Sequence, residues 1–375
     1  MKKTNTEPYL ATYLHSKGRR LGLPIAGNFE LTARCNFNCP MCYVHLSEQQ
    51  VRNAGGELSA RQWLDIAQAA QKKGMVFALL TGGEPLMRKD FFEIYEGMKK
   101  MGLMISINTN GSLLRGEILE RFLKDPPFRF NISLYGGSND TYRNMCGLPV
   151  YDQVKENIRA LRKAGVDVSL NLSITPYNQQ DLARIYADAV ELDVNVKASS
   201  YMYPSVRVNN GKYGCGNRLS PEDAARCSVE WDVLRFSEEE FALRAENMRK
   251  LVGDGADHCP MEADEGVRCR AGSSSFWVTW DGRMTPCGMI TSPAVYPLKT
   301  GFEKAWEMLR EETAKIRMPS ACTGCGYKDV CGVCAAVCFT ETGAFDKVPE
   351  YLCAKTMEEV RITQQVYSER KHHED

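Results

Sequence analysis

Several things are missing from this sequence, and each absence excludes something. No run approaches the roughly 18 consecutive apolar residues of a membrane span. The chain opens with Lys2 and Lys3 but lacks the apolar core of a signal peptide behind them. The expected compartment is therefore the cytoplasm, with no membrane partner. An excess of charge of one sign is also missing: Lys plus Arg and Asp plus Glu number 47 each. That balance leaves no basic footprint for nucleic acid and no polyacidic tail. There is no internal repeat and no low-complexity tract. What remains is a globular chain of 375 residues, 43% hydrophobic, with ample material for a core.

Cysteine, by contrast, is abundant. In a reducing cytoplasm the fifteen cysteines read as metal ligands or catalytic thiols rather than disulfides. Cys35, Cys39 and Cys42 form a tight early group, and Cys146, Cys215, Cys227 and Cys259 are scattered singly. Eight more lie between Cys269 and Cys353.

From Gly27 to about Ser200, runs rich in β-branched residues alternate with stretches of helical period, which predicts parallel βα units. Strands are expected at Asn28 to Thr32, Met75 to Leu80, Leu103 to Asn108, Phe128 to Leu134, Val166 to Ile174 and Val194 to Ser199. Between them, Ser59 and Gln62 form a capping box and Gly74 a stop; a second helix ends near Gly165. Six units suit an open, partial (β/α)6 barrel, α/β in class, with its chemistry at the carboxyl ends of the strands. Ser220-Pro221 starts a charged helical bridge to about Leu251. The first domain is thus 1–252, with its core at about 27–200. Residues 253–375 form a second, Cys-, Gly- and Pro-rich domain with one clear hairpin, Phe276 to Trp280 turning at Asp281-Gly282. Its composition cannot bury much apolar surface, so metal centres are expected to hold it together.

Cys35-x-x-x-Cys39-x-x-Cys42 follows the first strand. Three thiolates within eight residues can wrap one metal centre while leaving one position open, as catalytic sites require. A structural zinc knuckle, with His45 as fourth ligand, is the competing reading. Thr81-Gly82-Gly83-Glu84-Pro85 follows the second strand, at the same end of the barrel. Its glycines let backbone approach a ligand closely, and Glu84 offers a carboxylate for an ammonium group.

Together these motifs resemble the radical S-adenosylmethionine (radical SAM) superfamily, from about Asn28 to Ser200. The resemblance implies that Cys35, Cys39 and Cys42 bind a 4Fe-4S cluster whose open iron chelates S-adenosylmethionine. It implies that Gly82, Gly83 and Glu84 align the methionine amino group. Asn110, Ser133 and Arg143 match cofactor-contacting polar positions, and Met41 stands where relatives often carry an aromatic that meets the adenine. An electron from a flavodoxin-like or ferredoxin-like donor then cleaves the sulfonium to methionine and a 5'-deoxyadenosyl radical, which takes hydrogen from substrate.

The later cysteines, Cys269-x12-Gly282-x4-Cys287 and Cys322-x2-Cys325-x5-Cys331-x2-Cys334, then Cys353, resemble the SPASM extension of peptide-modifying radical enzymes. That extension implies two auxiliary 4Fe-4S clusters. One falls on Cys259, Cys269, Cys287 and Cys334, the other on Cys322, Cys325, Cys331 and Cys353. Relatives usually space the residues matching Cys331 and Cys334 by three rather than two, which leaves Cys338 as a rival to Cys334. The expected activity is hydrogen abstraction from a peptide or small protein, leading to crosslinking, epimerisation or another oxidation. Any leader-binding protein is expected to be separate, because only 34 residues precede Cys35. Cys215 is a candidate hydrogen donor, as in radical epimerases, and otherwise an ordinary loop thiol. Sulfatase maturation ranks lower because Gly288 replaces the Asp base of the maturases. A small-molecule or cofactor-biosynthesis radical SAM enzyme, a multi-cluster electron carrier and a zinc-stabilised interaction protein are the alternatives.

Overall fold

Period-two alternation within the strands builds the molecule. A computed structural model describes residues 9–205, 217–253 and 266–371. Six parallel strands form in turn: β1 (Ala26–Glu30), β2 (Phe77–Thr81), β3 (Met104–Thr109), β4 (Arg129–Ser133), β5 (Val168–Ser173) and β6 (Asn195–Ser199). In β1 to β5 alternate residues, Phe29, Leu80, Ile107, Phe130, Ile132 and Leu170 among them, are buried on one face. Helices cover that face: Ala60–Lys72 brings Trp63 to 6.0 Å from the Phe29 ring, and Tyr151–Lys163 brings Val154, Ile158 and Leu161. Burying each such side chain contributes about 2 kcal/mol, so this layer is the main stabilising element. The intervening residues are polar. Asn28, Ser106 and Asn131 line a cavity toward the amino ends of the strands; Asn108, Ser133, Asn171 and Ser173 line another at the carboxyl ends.

The strands run β6-β5-β4-β3-β2-β1-β7-β8, an open, partial barrel. The last two, β7 (Ser275–Val278) and β8 (Met284–Thr285), are the expected hairpin, with Gly282 at φ +86° in its turn. Its placement brings residues after 252 into the barrel sheet. β7 pairs in parallel with β1, Asn28 opposite Trp277, and so extends the barrel sheet. The expectation that the C-terminal stretch buries little is corrected. Phe276, Phe302, Trp306 and Leu309 join the main core, because helix Phe302–Ala314 presents residues 302, 305, 306 and 309 on one face. Only a small apolar group, with Ile290, Ile316, Met318, Ala335 and Ala336, forms separately around the later cysteines.

Ser59 caps helix Ala60–Lys72 in the expected box, and Ser220 caps Pro221–Arg235 through the amide of Asp223. That bridge helix packs along Glu350–Lys371. At the amino end of the barrel, helix Tyr9–Leu21 was not foreseen. It lays His15 against Phe77, ring centroids 6.2 Å apart, and brings its Nδ1 to 3.0 Å from Ser274 Oγ. Among the described residues, no helix is long and apolar enough to cross a membrane.

Candidate active site

The loop after β1 holds Cys35, Cys39 and Cys42, and its root is fixed to the loop after β2. The amide of Gly83 donates to Thr32 O at 2.8 Å and that of Glu84 to Arg34 O at 2.9 Å. A Cβ at Gly82 would lie 2.4 Å from Thr32 O, and one at Gly83 2.3 Å from Arg34 O. These glycines were expected to make room for a ligand. What comes close to them is backbone of the cysteine loop, which no side chain can displace. Beneath it, buried Arg88 donates to Leu31 O and Leu58 O at 2.8 and 2.9 Å, and pairs with Asp90 and Glu57. Arg34 grips the same Glu57 at 2.8 Å.

Donors point at the sulfurs. The Phe37 amide lies 3.4 Å from Cys35 Sγ, the Asn110 side-chain amide 3.8 Å from the same atom, and the His45 amide 3.3 Å from Cys42 Sγ. Asn110 is itself held by Asn36 and Ser112. Burial, with the nearby Glu84 carboxylate, pushes the Cys35 thiol up to about 12; burial and the neighbouring thiols raise Cys39 as well. The three thiols sense one another's charge, yet no three Cys, His, Asp or Glu side chains among the described residues are gathered as a site for one metal ion. Amide donors aimed at the sulfurs of one loop, with Cys39 buried and Cys35 and Cys42 partly so, suit the ligands of an iron-sulfur cluster, whose charge such donors stabilise.

Cys35, Cys39, Cys42, Met41, Gly82, Gly83, Asn110 and Ser133 all line the cavity at the carboxyl ends of the strands. Two expected residues do not. Glu84 is fully buried and turned back into the chain, accepting from Thr109 Oγ1, Asn110 N and Leu86 N at 2.8–3.1 Å. Burial moves its pKa up to about 7 against the pull of those donors. Arg143 lies on helix Asn139–Cys146, half exposed and paired with Asp140 at 2.6 Å, outside the cavity lining. Cys215 and Cys259 lie outside the described residues. Tyr135, Asn108, Asn171, Ser173 and Met202 also line the cavity. The inward alternation of β3 and β5 could have pointed to Asn108, Asn171 and Ser173. Nothing local marked Tyr135, whose ring sits 6.0 Å from Phe37 and whose hydroxyl lies near Cys39.

The later cysteines divide into two groups. Cys269, Cys287 and Cys334 converge around Tyr203, and Cys322, Cys325, Cys331 and Cys353 sense one another's charge. Cys338 is wholly buried on helix Ala335–Thr342, in the field of members of both groups.

A family model described as the radical SAM superfamily matches residues 29–189, the span that contains every lining residue named above except Met202. Residues 29–189 of this enzyme are a radical SAM domain. Along its length it is 27% identical, over 333 residues, to an AdoMet-dependent heme synthase of Methanosarcina barkeri, covering 84% of this chain and 93% of that one. Among solved structures, anSMEcpe with bound AdoMet superposes with a TM-score of 0.67 at 18% identity, over 92% of this chain and 100% of that one. Streptococcus suis SuiB bound to S-adenosylmethionine gives 0.63 at 15% identity, over 93% and 82%. The likeness to both extends the shared fold well past the radical SAM domain, into the cysteine-rich C-terminal stretch.

Proposed function

We propose that this enzyme reductively cleaves S-adenosylmethionine at a 4Fe-4S cluster on Cys35, Cys39 and Cys42, and uses the resulting radical to take hydrogen from a peptide. The observation that carries the reading is that three thiols, the Gly82-Gly83 loop, Asn110 and Ser133 line one cavity at the strands' carboxyl ends. Bound there, the cluster and its sulfonium ligand supply the electron transfer and the radical. The chain supplies position: Thr32 and Arg34 pin the glycine loop against the cysteine loop, Asn110 and Phe37 steady the Cys35 sulfur, and Met41 offers a polarizable wall. Glu84 acts through Thr109 and Asn110, fixing the turn that presents Asn110, rather than by holding an ammonium group.

Two sulfur groups near the C-terminus support two auxiliary clusters, one on Cys322, Cys325, Cys331 and Cys353, the other on Cys269, Cys287 and Cys334, with Cys259 as its proposed fourth ligand. This arrangement forms a SPASM domain. The likeness to SuiB and anSMEcpe, of which the SuiB structure is also known bound to a precursor peptide, favours a peptide substrate. Formylglycine formation is disfavoured: Gly288 has no carboxylate, and a Cβ there would lie 3.0 Å from the Trp277 ring. A second reading, a cofactor-precursor substrate, is favoured by the nearly full-length match to the heme synthase.

Anaerobic incubation with dithionite and S-adenosylmethionine is expected to yield 5'-deoxyadenosine, and Cys39→Ala to abolish it. No product from a reconstituted wild type would overturn the reading. Deuterium transfer into 5'-deoxyadenosine from a labelled peptide, and not from a labelled tetrapyrrole precursor, separates the two substrate readings.

A further inference from the structure

The proposed radical chemistry uses only the carboxyl ends of the strands, and the amino ends of a β/α barrel ordinarily carry packing alone. Here the amino ends open on a cavity of about 570 Å³, against 210 Å³ for the cavity at the mouth. That volume falls in the range of small-molecule sites, roughly 300–1,000 Å³. The lumen-facing alternation supplies its polar side: Asn28 of β1, Ser106 of β3 and Asn131 of β4. Asn131 donates to Asn108 of the mouth cavity at 3.0 Å, so a side-chain bond stands where the two compartments meet. Three cations line the lower one: Arg129 at the start of β4, Lys197 in β6 and Arg270 ahead of β7. No described lining residue is acidic. Arg129 also pairs with Asp167 at 2.7 Å, outside the lining, and His15 turns Nδ1 toward Ser274 Oγ at 3.0 Å. The rim is apolar and wet, with Leu10, Met104 and Phe128 lining the cavity while 66%, 36% and 43% exposed.

We propose that this lower cavity binds a small organic anion, a carboxylate or phosphate joined to an apolar body, alongside S-adenosylmethionine rather than in its place. Charges of one sign around a concave site with low-dielectric walls focus their field and concentrate the opposite ion. The forked guanidinium groups of Arg129 and Arg270 match the paired oxygens of a carboxylate or phosphate, Lys197 adds a point charge, and Ser106 offers a hydroxyl. Positive charge from three strands' worth of backbone excludes a cation as the occupant. The apolar body lies toward Leu10, Met104 and Phe128, whose exposed surface it would cover. Binding here requires no cluster, so the inference stands apart from the iron-sulfur reading.

Isothermal titration calorimetry of the anaerobically reconstituted full chain, with saturating S-adenosylmethionine present, provides the test. The probes are 3-phenylpropionate, phenyl phosphate and the neutral 3-phenylpropan-1-ol. At least one of the two anions is expected to bind saturably at one site per chain, and the alcohol to bind roughly tenfold more weakly, the worth of a hydrogen bond to a charged group. Lys197→Gln, away from the cysteine loops, should weaken the anion by about the same factor while iron content and 5'-deoxyadenosine formation stay at wild-type levels. Arg270→Gln should weaken it too; if that variant loses iron through the neighbouring Cys269, the Lys197 variant carries the test. Equal binding of the alcohol overturns the proposal, since the cavity would then be an apolar hole without charge recognition. Anion binding that Lys197→Gln leaves intact, or that S-adenosylmethionine displaces, overturns it as well. So does the absence of saturable binding by both anions.

Discussion

A methyl group at Gly83 would meet the carbonyl oxygen of Arg34 at 2.3 Å, and both are backbone. Neither can swing aside, so Gly83→Ala must pull the β2 loop off the cysteine loop. Overpacking of this kind costs about 2 kcal/mol, and urea unfolding of the metal-free protein should show a loss of that size. Glu84 makes the opposite case, a group whose charge rather than size is strained. Its pKa in the fold, about 7, lies above the ordinary value of 4.5 because burial outweighs three donors. The folded protein therefore binds this proton more tightly than the unfolded chain does. Its stabilising contribution is complete below about pH 4.5 and is lost as pH rises through about 7. Glu84→Gln cannot titrate, so the metal-free variant should lack a fall of about 3 kcal/mol between pH 4 and 8 that the wild type shows. A variant with the wild-type pH profile would remove Glu84 as its source. The presence of a carboxylate after Gly-Gly was legible in the sequence. Its direction was not, because that depends on Thr109 and Asn110 in the next βα unit.

Elements here were legible wherever their period was local. All six parallel strands fall within a few residues of expectation, since alternating apolar and polar residues bury one face and leave the other polar. The Ser59 and Ser220 caps were equally readable, because a cap is a contact within four residues. Helix Tyr9–Leu21 escaped notice: Tyr9, Leu10 and Tyr13 are exposed, and only Ala11, His15 and Gly18 face inward. What joins the elements around the site is the Arg88 guanidinium, which ties the end of β1, the start of helix Ala60–Lys72 and the loop after β2. Arg88→Met leaves the Leu31 and Leu58 carbonyls without their donor and Asp90 without its ion-pair partner, a loss of about 3 kcal/mol or more. Denaturant unfolding measures it, and the conservative Arg88→Lys should recover only part, since an ammonium cannot span the same fork.

For the whole molecule, the proposed three clusters set a stoichiometry: about 12 irons per chain after reconstitution, given four per cluster. Cys322→Ala and Cys287→Ala should each remove about a third, and together about two thirds, because they sit in separate sulfur groups. Zinc in place of iron, or a loss shared by both variants, would contradict the allocation. The sequence by itself determined the chemistry available and the local scaffold: three cysteines in eight residues, a Gly-Gly-Glu loop one unit later, and six strands whose alternation leaves only one way to bury them. Spacing along a chain fixes which groups can meet within a loop or a turn. The tertiary structure alone decided which distant groups meet. It placed Trp277 beside Asn28 in a seventh parallel strand, and turned Glu84 inward and Arg143 outward. Those outcomes depend on pairing and packing between segments up to 250 residues apart, where the burial of one shared core, and not any local period, selects the partner.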